Sequence, residues 1–324
     1  MESTSYWVTR AGKGELIKAE LFPTDGLSLL KTISTGISTG TEKIVGKGQV
    51  SKEANKFMSV PYMDGSFELP IKYGYSLVGD ALSGKYKGSR VFLMHPHQNV
   101  CLVSDNDMKV LPETITNKMS ILIPNMETAL NAVWDAELKQ GEKIAIVGAG
   151  MIGILVGFVL ASMGFNFFMI EKNDVRLKAS LKLSWIPYKN LINTKSIKTY
   201  DVIFNATGSP QGLQTSIDLG GFESRVIDLS WYGIQKVSLN LGGSFHWERK
   251  KIIASQVSHV APSVRAKKDN MDRFTKVLDL LVDPSLNKLE RSEVEFIHLP
   301  KLMNQIYKDV DVGWSPIITY KGNY

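Results

Sequence analysis

Cysteine occurs once in the chain, at Cys101, which rules out an internal disulfide framework and a structural zinc site built from four cysteines. A reducing compartment suits such a chain, and a cytoplasmic location is the expectation. The opening stretch MESTSYWVTR lacks a basic segment followed by an apolar one, so no secretory signal is read there. A dense basic run is missing too. The lysines are scattered without aromatic interleaving, so the formal charge of +6 describes a solvated surface, and nucleic acid is not expected as a partner. Low-complexity tracts and internal repeats are also absent.

What is present is the composition of a globular protein, with 44% hydrophobic and 22% charged residues, on a length better suited to two domains than to one. The stretch from Ile144 to Ile170 carries no charge, and a run of that length would ordinarily suit a membrane span. Glycines at 148, 150, 153, 157 and 164 instead divide it into strand, helix and strand, the pattern of a buried βαβ unit. No membrane partner is therefore expected.

Residues 5 to 110 alternate short β-prone runs with glycine turns, as in Tyr6-Trp7-Val8, Leu16-Ile17-Lys18-Ala19 and Arg90-Val91-Phe92-Leu93, and predict an irregular, strand-rich domain. Helical spacing takes over between Met119 and Leu138, which places the domain junction there. Alternating elements follow: strands at Ile144–Val147, Asn166–Ile170, Val202–Asn205 and Arg225–Leu229, with helices at Met151–Met163 and Asp174–Leu183. This order predicts an α/β fold with a doubly wound parallel sheet. A last helix is predicted over Met271–Leu281 and a final strand over Ser315–Tyr320. The predicted division is 1–118, 119–261 and a return to the first domain over 262–324.

Gly148, Gly150 and Gly153 form G-x-G-x-x-G directly after a strand and at the opening of a helix. In a dinucleotide site the first glycine makes the tight turn, the second lets backbone approach the pyrophosphate, and the third lets helix and strand pack closely. Met151 and Ile152 then supply helix-terminal N–H groups facing the phosphates. Glu171 ends the second strand about 20 residues on, where an acid accepts from the adenosine ribose. That carboxylate would repel a 2′-phosphate, so NAD is expected over NADP, although Lys172 and Arg176 could bend toward such a phosphate. Thr207, Gly208, Leu229 and Ser230 follow later strands and are placed to line the nicotinamide half; each could equally be an ordinary turn residue.

With GAGMIG following a strand-rich domain, and with a C-terminal return, the chain resembles the medium-chain dehydrogenase/reductase superfamily over nearly its whole length. Gly36-Ile37-Ser38-Thr39-Gly40-Thr41-Glu42 and Lys72-Tyr73-Gly74-Tyr75 resemble the branch that includes bacteriochlorophyllide dehydrogenases and threonine-dehydrogenase-like proteins. Leu229-Ser230-Trp231-Tyr232-Gly233 and Ser255-Gln256-Val257 are similar to less studied members. The resemblance implies a Rossmann-type nucleotide domain, a GroES-like catalytic domain and a homodimer, for which Val237–Leu241 could supply a pairing edge strand.

Zinc members of that superfamily hold their metal with a cysteine after G-I, a G-H-E segment and a third cysteine or glutamate. Here Ser38 and Thr39 stand in the first region and Gly74-Tyr75-Ser76 in the second, with Glu127 alone matching an acidic third ligand. Hydroxyls plus one carboxylate do not make a zinc site, so none is expected. Proton transfer then falls to Tyr75, Thr41, His95, His97 or water, with Tyr75 equally readable as a ring filling the vacated volume and the histidines as loop-bonding residues. Glu127 completes the set of catalytic candidates. His246, His259 and His298 are isolated, and Cys101 reads as a buried apolar residue.

The expectation is a zinc-independent oxidoreductase that moves hydride between NAD(P)(H) and a small carbonyl, alcohol or activated alkene, held in the cleft between domains. The alternative is a dinucleotide-binding redox sensor or scaffold without turnover.

Overall fold

In the computed structural model, residues 1–186 and 199–321 are described in full and Leu191–Ile192 by backbone alone. The chain divides into two compact units, 1–124 with 233–235 and 290–324, and 125–232 with 236–289.

The first unit is built on two sheets. Glu2–Arg10 pairs antiparallel with Lys13–Glu20 and, through Val8, with Ile71–Lys72. The larger sheet runs Glu293–Glu295, Ile317–Thr319, Leu27–Gly36, Leu77–Ala81, Arg90–Leu93 and Lys109–Val110, with Val100–Ser104 also on Leu27–Gly36. Leu30, Leu77, Val91, Leu93, Cys101 and Val103 form its core, so Cys101 is the buried apolar residue expected, its thiol pushed up to about 12 by burial.

The second unit carries one six-stranded parallel sheet in the order Leu191–Ile192, Phe167–Ile170, Ile144–Val147, Tyr200–Asn205, Gly220–Asp228, Lys251–Ala254. Counted along the chain this is 3-2-1-4-5-6, the Rossmann order, whose connection reverses beside the first strand and opens a crevice there. The uncharged run from Ile144 resolves into strand Ile144–Val147, helix Met151–Ser162 and strand Phe167–Ile170. Apolar residues surround the helix because it is buried on most sides, with Gly157 leaving room for the Phe167 ring. Among the described residues no helix is long and apolar enough to cross a membrane.

Two features differ from the sequence expectation. The helical region after Met119 is two helices, Asn117–Ser120 and Ile123–Asp135, the second taking Pro124 in its first turn, where a missing N–H costs nothing. Its end is fastened by Arg225, which donates to the carbonyls of Ala136 and Glu137 at 2.7 and 3.1 Å and pairs with Glu142. The helix Asn270–Leu281 groups with the second unit, not with the return, because its Arg273 turns inward to Asn131 and Glu127.

Val237–Leu241 forms no strand. Val237 and Leu239 pack instead on the core around Ala145, Ile203 and Val226, and the Asn240 N–H is taken by Gln214. The alternation that suggested a pairing edge is satisfied inside the unit, and the sheet's edge strands are Leu191–Ile192 and Lys251–Ala254.

Candidate functional site

The glycine turn of the second unit is made by its own close contacts. Gly148 has φ +99°, a region that L side chains rarely adopt, and its N–H donates to the Ile170 carbonyl at 2.8 Å. A Cβ at Gly153 would lie 1.9 Å from the Gly148 carbonyl oxygen, so the helix can sit against the turn only with glycine there. Gly150 differs from both. Its φ of −71° is ordinary, and an added Cβ would meet only the Arg176 Nη1, at 3.7 Å. The protein's own packing does not demand this glycine, which leaves the approach to the turn clear. Met151 and Ile152 open the helix, whose first N–H groups have no intrahelical acceptor and carry the positive end of the dipole.

Glu171 is oriented otherwise than the sequence suggests. Its carboxylate is 8% exposed and accepts backbone N–H groups on both oxygens: Ala149 on Oε2, and Lys172 and Asn173 on Oε1, each at 2.8 Å. It ties the glycine turn to the end of the second strand. Lys172 is exposed, and Arg176 lies in the helix Asp174–Ser180, which Asn173 caps through the N–H groups of Val175 and Arg176.

At the carboxyl ends of the next two strands the residues form one network. Asn205, fully buried, donates from Nδ2 to Asp228 Oδ1 at 2.9 Å, with Ser230 Oγ and the Tyr232 hydroxyl at 3.2 and 3.1 Å. Its Oδ1 accepts from the Thr207 hydroxyl at 2.8 Å, the Gly208 N–H donates to Ser230 Oγ, and the Leu229 N–H donates to the Asn205 carbonyl. Thr207, Gly208, Leu229 and Ser230 are thus brought together in one hydrogen-bonded network. Tyr232 is an addition: its hydroxyl donates to both Asp228 oxygens, and burial foremost pushes its phenol up to about 12. The signals in the sequence were its place in Leu229-Ser230-Trp231-Tyr232-Gly233 and its position four residues after an acid that ends a strand.

The first unit gathers a second cluster. Burial raises the Tyr75 phenol to about 12, with the Glu42 carboxylate adding to the rise and the hydroxyls of Ser38 and Thr41 beside it acting against it. Glu42 accepts the Ser38 N–H on Oε1 at 2.7 Å and faces His97 Nε2 across 3.0 Å on Oε2. On its far side His97 Nδ1 meets Thr35 Oγ1 at 2.6 Å, which reaches the Tyr320 hydroxyl at 3.2 Å. Gly74 lets the His-Pro-His segment lie close, since its Cβ position falls 3.2 Å from Pro96 and 3.3 Å from the His97 ring. Glu42 was not among the sequence candidates, although it stands next to Thr41.

His95 and Glu127 do not join this cluster. His95 is buried, bonded through Nδ1 to the Pro96 carbonyl and set against the Tyr62 ring, and burial lowers it to about 3. It therefore stays neutral at ordinary pH and has no proton to give as a cation. Glu127 belongs to the second unit and is held at 3.1 Å by Arg273.

The resemblance raises the question of a zinc ion, and the donor set does not fit one. Ser38 is engaged with Tyr75, Ser76 donates to the Ile121 carbonyl at 2.7 Å, and Glu127 is paired with Arg273. No thiolate or imidazole stands at these positions. Among the described residues no group of three or more His, Cys, Asp or Glu could hold a metal.

No protein-family model matches the chain. Among curated proteins it is 25% identical to the 2-dehydro-3-deoxy-L-galactonate 5-dehydrogenase of Pseudoalteromonas atlantica over 173 residues, 51% of this chain and 50% of that protein. It is 40% identical to the glucose 1-dehydrogenase 1 of Picrophilus torridus over 70 residues, 21% of this chain and 19% of that one. The match thus spans half the length of the first of these relatives and less of the second. Solved structures agree over nearly the full length. The 2R,3R-butanediol dehydrogenase of Bacillus subtilis gives a TM-score of 0.75 at 16% identity, covering 98% of this chain and 99% of that one. A short chain alcohol dehydrogenase of E. coli CFT073 complexed with NADH gives 0.74 at 15% with the same coverage, and zinc dependent alcohol dehydrogenase 2 of Streptococcus pneumonia gives 0.75 at 15%, covering 99% of both chains. At these identities the likeness establishes the fold, a Rossmann-type α/β architecture shared with dehydrogenases.

Proposed function

We propose that the chain is a nicotinamide-dinucleotide-dependent oxidoreductase that transfers hydride to or from a small carbonyl, alcohol or activated alkene without catalytic zinc. The observation carrying this reading is the glycine turn: Gly148 and Gly153 are required by backbone contacts, whereas Gly150 leaves the turn open to a ligand. That division of labour is what a pyrophosphate site needs. Gly148, Gly150, Met151, Ile152 and Gly153 would hold the pyrophosphate, and Thr207, Gly208, Leu229 and Ser230 the nicotinamide end.

When bound, the cofactor supplies or accepts the hydride. In the first unit, the Tyr75 hydroxyl with Ser38 and Thr41 would donate a hydrogen bond to the substrate oxygen, and His97, held by Glu42 and Thr35, would handle the proton. His95 and Glu127 are assigned no part. The unsuitable zinc donor set supports the metal-free form of the reaction.

A second reading, a dinucleotide-binding sensor without turnover, draws support from the loss of the zinc donor set, with Ser76 turned to the Ile121 carbonyl and Glu127 paired with Arg273. One experiment separates the two. Purified protein of measured metal content is given reduced nicotinamide dinucleotides with a panel of aldehydes, ketones, quinones and enones, and oxidised ones with alcohols. Turnover without stoichiometric zinc supports the enzyme, and zinc at one per chain whose chelation abolishes turnover refutes the metal-free form. Tight binding with no turnover across the panel favours the sensor.

A further inference from the structure

We infer that Arg176 receives a phosphate on the adenosine ribose and that the site selects NADP(H) over NAD(H), reversing the preference that Glu171 suggests in the sequence. The inference rests on the dinucleotide reading above and adds the identity of the cofactor to it.

Two observations point the same way. Selection of NAD needs a carboxylate that presents free acceptor positions to the ribose and a net negative charge to anything attached there. The Glu171 carboxylate is turned inward, with three backbone N–H groups at 2.8 Å sharing its two oxygens. Those donors occupy most of its roughly four acceptor positions. Its work is to hold Ala149, the middle of the turn.

The second observation concerns what faces the open side. The Arg176 guanidinium comes within 3.7 Å of the position a Gly150 Cβ would take, and among the described residues no other side chain comes within 4 Å of that position, so a cation stands at that approach. Lys172, exposed and directly after Glu171, adds another positive charge at the same strand end. A guanidinium presents a planar fork that matches two oxygens of a phosphate, and neither group loses its charge near neutral pH.

Arg176 could instead contact the pyrophosphate, which both cofactors share, and the test separates these roles. Binding of NADPH, NADH, 2′,5′-ADP and 5′-ADP to the full chain is measured by titration calorimetry, for the wild type, Arg176→Ala and Arg176→Lys, each checked by thermal unfolding. The expected result is NADPH tighter than NADH by about ten-fold or more, and 2′,5′-ADP tighter than 5′-ADP, with Arg176→Ala removing both preferences while NADH binding stays within about three-fold and Arg176→Lys keeping part of each. NADH binding as tightly as NADPH in the wild type overturns the inference, as does a preference that survives Arg176→Ala, or an equal loss for both dinucleotides. If folded wild-type protein binds neither dinucleotide, the underlying reading falls as well.

Discussion

The Glu42 carboxylate and the His97 imidazole lie 3.0 Å apart with almost no access to solvent, at 4% and 1% exposure. Each depends on the other, because a buried polar group without a partner loses its hydration and gains nothing in return. Glu42→Ala also strands the Ser38 N–H, and the loss expected is about 3–5 kcal/mol of unfolding free energy, against about 1–3 kcal/mol for Glu42→Gln, which keeps an acceptor. Urea midpoints of the two variants check this; an unchanged midpoint in Glu42→Ala would show that the pair holds nothing together.

His95 gives a pH signature. Its folded value of about 3 lies below the ordinary 6.5, so between those values the unfolded chain takes up a proton that the folded chain refuses. Stability must therefore fall as pH drops from 6.5 toward 3, by about 1.4 kcal/mol per pH unit from this residue, and be unaffected by it above 6.5. Comparing unfolding of the wild type and His95→Gln at pH 7 and pH 5 tests the sign: the wild type should lose more stability on acidification than the variant, and parallel losses would contradict the burial argument.

What the sequence made legible was whatever the chain decides locally. The strand, the three glycines and the helix after Lys143 lie within a few residues of one another, and each glycine carries its own steric reason, so the βαβ unit could be read without tertiary knowledge. The Glu42–His97–Thr35–Tyr320 chain could not, since its bonded partners lie 55, 62 and 285 residues apart along the sequence and meet only in the folded unit. Glu171 shows a subtler limit. Its position at the strand end was legible, but the direction of its carboxylate depends on three N–H groups that no pattern reveals. Val237–Leu241 misled for the opposite reason: alternation is a true sign of one buried face, yet the face is buried by core side chains and not by a neighbouring strand.

The glycines of the turn should separate folding from binding. Gly153→Ala drives a methyl into the Gly148 carbonyl oxygen, which forces the helix away from the turn and should cost about 1–3 kcal/mol of stability along with dinucleotide affinity. Gly150→Ala meets no clash, so its melting temperature should stay near that of the wild type while NADPH affinity falls by about ten-fold or more, because the methyl stands where the ligand approaches. Thermal unfolding and NADPH titration of both variants decide it. Equal affinity in Gly150→Ala and wild type would remove the turn as the pyrophosphate site.

Tyr75 offers a hydroxyl that stays protonated to about pH 12, which suits it to hydrogen-bond donation and not to acting as a base. On whichever carbonyl the panel identifies, Tyr75→Phe should lower kcat by about 10²–10⁴-fold. Dinucleotide binding should hardly change. A variant that loses affinity and keeps kcat would assign the ring to packing, the other role its position allows.

Glu127 supplies the last test, because its proposed ancestry as a metal ligand and its observed bond lead to different outcomes. It faces Arg273, which is 5% exposed and also donates to Asn131 at 3.1 Å. Removing the carboxylate alone leaves a buried guanidinium short of its charge partner, so Glu127→Ala should destabilise by about 3–5 kcal/mol. Replacing both, as Glu127→Leu with Arg273→Met, removes the orphan charge and should recover most of that loss, since apolar side chains of similar volume often match or exceed a buried ion pair. The activity of folded double variant then reports what Glu127 does beyond stability. If Glu127 serves only to hold Arg273, turnover per folded molecule should stay within about three-fold of wild type; a collapse of kcat in a stable double variant would return Glu127 to the catalytic set.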